Sequence, residues 1–124
     1  MDLRLLVIVA FGGAIGAVLR YALPSLISNQ NSIFMTLGIN LLGSLLLGIL
    51  FGLLATGSNI SEELVLLIGT GIIGAFTTMS TFAFEAMETS QNNAIHGLSY
   101  ILSTVFGSIF LAWLGYSAIL NYSS

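Results

Sequence analysis

Four apolar stretches of about twenty residues or more constrain this chain before anything else: Leu3 to Leu23, Phe34 to Ala55, Leu64 to Met87 and Ile95 to Leu120. A helix of roughly 20 apolar residues crosses the ~30 Å hydrocarbon core of a bilayer. Such a core admits only elements that satisfy their own backbone hydrogen bonds. Charged residues make up 6% of the chain and hydrophobic ones 56%, too little charge to solvate a soluble domain of this size. The expectation is therefore an all-α integral membrane protein, one four-helix transmembrane domain spanning 1–124. The connections, Pro24 to Ser32, Thr56 to Glu63 and Glu88 to Asn93, are rich in Ser, Asn, Gln and Glu, as turns are. The first apolar stretch is too long for a signal-peptide core and reads as a retained helix. No cysteine is present, which removes disulfide and thiolate chemistry.

The basic residues are Arg4, ahead of the first helix, and Arg20, near its far end, within a net charge of -3. Four crossings place these two on opposite sides of the bilayer, so the bias that orients membrane proteins has almost nothing to act on. Insertion in both orientations is expected. Four short helices enclose too little volume for a pore, so an oligomer is expected, and two orientations make an antiparallel, dual-topology dimer natural. A chain this poor in Lys and Arg has the lipid bilayer as its partner and no nucleic acid.

The third stretch breaks the apolar pattern. Gly74-Ala75-Phe76-Thr77-Thr78-Met79-Ser80-Thr81-Phe82 packs four hydroxyls behind Gly69, Gly71 and Gly74. Glycine weakens a helix, and clustered hydroxyls compete for its backbone hydrogen bonds. A helix broken at membrane depth survives only where its freed groups face protein or a water-filled path, which marks an ion or substrate site. A hydroxyl-rich contact between helices accounts for the same residues.

Polar stripes run along two other helices: Thr36, Asn40 and Ser44 on the second, Tyr100, Thr104 and Ser108 on the fourth, each at i, i+4 and i+8. They offer neutral donors without fixed charge. A Lys or Arg would hold an anion too tightly to release it, whereas hydroxyls, amides and the positive edges of aromatic rings replace part of a hydration shell and still let go. Bonding between the two stripes is the structural alternative. On the first helix, Gly12 with Gly16 and Gly13 with Ala17 are small pairs four apart, suited to close helix packing. Arg20 and Glu85 lie toward the same membrane face and could pair, as anchors more than as a site. His96 has no second ligand beside it, and Glu62, Glu63 and Glu88 read as solvated loop charges. Nothing in the chain suggests catalysis.

In order and spacing, Gly12 to Tyr21, then Thr36 and Asn40, then Gly74 to Phe82 with Glu85 following, resemble the CrcB/Fluc fluoride channels over essentially the whole chain. The resemblance implies an antiparallel dimer of four-helix subunits in a prokaryotic plasma membrane, conducting fluoride along two pathways at the subunit interface. It implies a third helix broken near the two-fold axis, where the carbonyls of Gly74 and Thr77 from both subunits hold a structural sodium ion. It also implies a fluoride pathway of Asn40, Phe82, Met79, Thr36, Ser80, Thr81, Tyr100, Thr104 and Ser108, with Arg20 and Glu85 at its vestibule. The family pattern has a second phenylalanine where this chain has Met79, so one ring edge toward the anion is missing.

Passive fluoride export needs no energy-coupling site. A small dual-topology multidrug transporter, the rival at this length, needs a membrane carboxylate to exchange protons, and the middle of the first helix has none. A non-conducting partner subunit of a heterodimeric channel is the third reading, with the partner supplying the ring absent at Met79.

Overall fold

The computed structural model describes residues 1–27 and 31–124, and every described element is helical. Helix α1 covers Leu3–Leu26 and α2 covers Ser32–Ala55. A third span follows in pieces: α3 (Glu62–Val65), a π-helix (Leu66–Ile73), α4 (Gly74–Phe76) and α5 (Met79–Asn92). Helix α6, Ala94–Ser123, closes the chain. Four of these paths, 3–26, 32–55, 62–92 and 94–123, are long and apolar enough to cross a membrane.

Local chemistry sets most of the ends. Asp2 caps α1 by accepting from the Arg4 amide at 2.9 Å. Helix α2 ends in a Schellman turn: Gly57 has φ +77°, its amide bonds the Leu54 carbonyl, and the Ser58 amide bonds the Leu53 carbonyl. Asn93 is the one non-helical residue between α5 and α6, and its Oδ1 accepts from the amides of Ile95 and His96. The expected connection at Glu88 to Asn93 is therefore almost wholly helix. Helix α1 likewise runs past Pro24, because proline removes one ladder bond near an end where few remain to lose. Ser28, Asn29 and Gln30 of the expected first loop lie outside the described residues. Glu62 and Glu63, expected in a loop, form the first turn of α3, where acidic groups suit the positive helix end. Glu63 also pairs with Arg4 at 3.3 Å.

Glycines let backbones meet. A Cβ on Gly12 would fall 2.4 Å from the Leu67 carbonyl oxygen, and one on Gly16 would fall 2.1 Å from that of Ile72. Helix α1 thus runs parallel to the π-helix in near backbone contact, as the small pair Gly12 and Gly16 predicts. The second pair does not take part: Gly13 faces open space and Ala17 is exposed. Helices α2 and α6 also run parallel, with Gly48 against Ala112 and Gly115 against Leu45 and Ile49. Buried Phe82, Ala86 and Tyr100 join α5 to α6.

Candidate functional site

Between α4 and α5 the backbone leaves the helical path at two residues. Thr77 has ψ 157° and Thr78 has φ -147° and ψ 116°, both extended. Thr78 then restarts the helix as an N-cap, its Oγ1 accepting from the Thr81 amide at 3.2 Å. Two other helices reach this interruption. From α1, an Arg20 Nη1–H donates to the Thr77 carbonyl at 3.0 Å. From α2, the Asn40 amide grips Thr78 twice: Oδ1 accepts from the Thr78 N–H at 2.8 Å, and Nδ2 donates to the Thr78 carbonyl at 3.1 Å. Gly43, one turn along α2, makes room, since a Cβ there would sit 2.1 Å from the Thr77 methyl.

These bonds change what the carbonyls can do. In a continuous helix the Thr78 N–H would serve Gly74, and here it serves Asn40. The Gly74 carbonyl has a 3.5 Å contact from the Thr77 hydroxyl, which also lies 3.1 Å from the Ile73 carbonyl.

A cavity of about 300 Å³ opens beside the interruption. Asn40 and Ser44 come to it from α2, Met79 and Phe82 from α5, and Thr104 and Ser108 from α6. None of its lining side chains is charged. Phe82 is 5% exposed and meets Tyr100 edge-on, centroids 5.2 Å apart, whereas Met79 is 73% exposed. The Thr104 hydroxyl is buried without a hydrogen-bond partner among the described residues. Burying a hydroxyl without a partner is costly, and one left so beside a cavity is suited to a ligand. Within the α2 stripe Ser44 donates to the Asn40 carbonyl of its own helix at 2.7 Å, and the two stripes meet where Thr36 and Tyr100 both reach Glu85.

Glu85 organises a second cluster. It is 7% exposed, and three hydroxyls converge on it: Ser32 and Thr36 donate to Oε1, the latter at 3.1 Å, and Tyr100 donates to Oε2 at 2.8 Å. The pairing open to Arg20 and Glu85 is not formed among the described residues. Arg20 is taken by a backbone carbonyl and Glu85 by hydroxyls, and the ion pair among the described residues is Arg4–Glu63. Arg20, Thr36 and Thr81 line a further cavity of about 550 Å³, together with Ser32 and Thr78. Ser80 and Thr81 are exposed, within 3.5 and 3.0 Å of the Thr78 hydroxyl.

The expected pathway residues therefore divide into three groups. Asn40, Met79, Phe82, Thr104 and Ser108 share one cavity, Thr36 and Tyr100 converge on Glu85, and Ser80 and Thr81 lie at the Thr78 hydroxyl. Sequence reasoning placed Ser32 in a loop and passed over Gly43. The helix spacing to Thr36 signals the first, and a small residue one turn after Asn40 signals the second.

Comparison with known proteins is consistent with these features. The family described as CrcB-like protein, Camphor Resistance (CrcB), matches residues 7–116. A Methanosarcina acetivorans protein named fluoride-specific ion channel FluC 1 is 37% identical over 122 residues, 96% of this chain and 93% of its own. Proteins named fluoride-specific ion channel FluC from Campylobacter jejuni and Nautilia profundicola are 40% and 41% identical, covering 92% and 90% of this chain and 96% and 90% of theirs.

Proposed function

The chain belongs to the CrcB-like family, and on that premise we propose that it is a fluoride-selective channel through which fluoride leaves the cell passively. The observation that carries the reading is the uncharged cavity of Asn40, Ser44, Phe82, Thr104 and Ser108, found in a chain whose relatives are named fluoride-specific channels. Hydroxyl and amide donors replace part of the hydration of a small, strongly hydrated anion, and with no Lys or Arg in the lining the ion can move on. The unpartnered Thr104 hydroxyl is a donor awaiting such a ligand. Thr36, Ser80, Thr81 and Tyr100 complete the route, with Arg20 drawing anions into the larger cavity.

The working unit is two copies in antiparallel orientation in a prokaryotic plasma membrane. The interruption at Thr77 and Thr78 lies at membrane depth against the second copy. The exposed Met79 and Gly74 and the surface-opening cavity support this, since each copy leaves them for the other to cover. A structural sodium ion fits the residues present. The Gly74 carbonyl has lost its helical donor to Asn40, and carbonyls at an unwound helix end suit a hard monovalent cation. Gly74 and Thr77 of both copies would hold it, and bound there it supplies a fixed positive charge between the subunits. Arg20 donates to the Thr77 carbonyl, which has a second lone pair for the ion. The proton-exchange alternative lacks support, because the middle of α1 carries no carboxylate.

The test is efflux from liposomes holding the purified protein alone, with a potassium ionophore balancing charge. Fluoride should leave far faster than chloride. Equal rates for the two anions, or proton exchange driven by cationic drugs, would overturn the reading.

A further inference from the structure

Asn40 does more than line the cavity: the geometry points to it as the positioning residue that keeps the interruption between α4 and α5 open. Three observations carry this. The Asn40 side chain offers the Thr78 backbone both an acceptor and a donor, at 2.8 and 3.1 Å, as a neighbouring strand would. Both partners are buried, Asn40 at 9% and Thr78 at 8% exposure, so losing either bond is costly. The site is also built for the fit, since Gly43 lets α2 approach until Thr77 touches its backbone.

The chemistry explains why an amide is needed. With Asn40 as its acceptor, the Thr78 N–H cannot return to the Gly74 carbonyl, which is the bond that would close α4 onto α5. Remove the amide, and the Thr78 N–H must either go without its protein acceptor or take Gly74 back. Aspartate keeps the acceptor but sets a negative charge against the Thr78 carbonyl. Leucine and alanine offer neither group. The Asn40 amide carries two N–H bonds, and holding Thr78 uses one, leaving the second for the cavity. The positioning role goes beyond the channel reading, resting on it only for the consequence to fluoride flux.

The sequence supplies a convenient test. Thr77–Thr78 is the one Thr-Thr pair in the chain. Threonine labelled with carbonyl ¹³C and amide ¹⁵N therefore yields a single correlated NMR signal, from the Thr77 carbonyl and the Thr78 amide. In the unsubstituted full-length protein that amide should be strongly protected from hydrogen exchange. In Asn40→Ala it should exchange about ten- to a hundredfold faster, as expected for losing a buried partner, or the Thr77 carbonyl shift should move to its helical value. In Asn40→Asp, which keeps the acceptor, exchange should stay within severalfold of the unsubstituted rate while the carbonyl shift moves. An unchanged signal and exchange rate in Asn40→Ala would overturn the proposal and leave Asn40 a cavity-lining group only. Should Asn40→Ala fail to assemble, the unsubstituted protein decides the matter: a Thr78 amide exchanging at the rate of an exposed loop would overturn the proposal equally. None of these readouts uses flux, so failure of the fluoride reading would be seen separately in liposomes.

Discussion

Phe82 and Met79 lie three apart at one cavity and do different work there. Phe82 is buried with its ring edge-on to Tyr100, so its removal takes away both a ring at the cavity and part of the α5–α6 contact. Met79 is exposed, on the face that the proposed second copy would cover. Phe82→Ala should accordingly reduce fluoride flux more than Met79→Ala, measured on folded dimers in liposomes. Equal losses would refute direct ring contact. Met79→Phe should keep or raise the flux, because an aromatic edge presents positive charge to an anion where a thioether does not. Glu85→Gln replaces one acceptor oxygen by an NH₂ group among the hydroxyls of Ser32, Thr36 and Tyr100. It should lower stability by about 1–3 kcal/mol, read as an earlier thermal transition in detergent. An unshifted transition would mean that the hydroxyls reorient without cost.

The π-helix shows how one element adapts to another. Gly12 and Gly16 of α1 are four apart, whereas the carbonyls they meet, at Leu67 and Ile72, are five apart. A π turn, bonded i to i+5, brings residues five apart onto one side; the Gly74 amide accordingly bonds Gly69. Gly16→Ala would place a methyl 2.1 Å from a backbone oxygen. It should cost at least about 1–3 kcal/mol or prevent assembly, whereas Gly13→Ala, facing open space, should leave the thermal transition unchanged. Comparing the two variants by size-exclusion chromatography and thermal melting checks the contact. If both behave alike, the packing argument fails.

Considered whole, one copy leaves the cavity open on its flank and Met79, Phe84 and Met87 exposed along α5. The charges are as sparse in space as along the chain: Arg4 is paired with Glu63 and Arg20 with a backbone carbonyl. Neither presents a free cluster for the positive-inside bias to act on. Tags at each terminus should therefore be found on both sides of the membrane. Several lysines added to one end should impose a single orientation and reduce the activity of the lone subunit. A single orientation in the unmodified protein would refute the antiparallel homodimer and favour a heteromeric channel.

Family membership, the four spans and the polar residues of the cavity were legible in the chain, because hydropathy, helix spacing and the Gly74 to Phe82 motif are local patterns. The hydrogen-bond partners were not. Whether Arg20 meets Glu85 or the Thr77 carbonyl, and whether Asn40 faces only the cavity or also grips Thr78, depends on how close α1 and α2 come to the third span. That approach is set by glycines acting in pairs across helices, Gly12 and Gly16 against the π-helix and Gly43 against Thr77. A glycine in a sequence reports a missing side chain; only its packed neighbour shows what the vacant space admits.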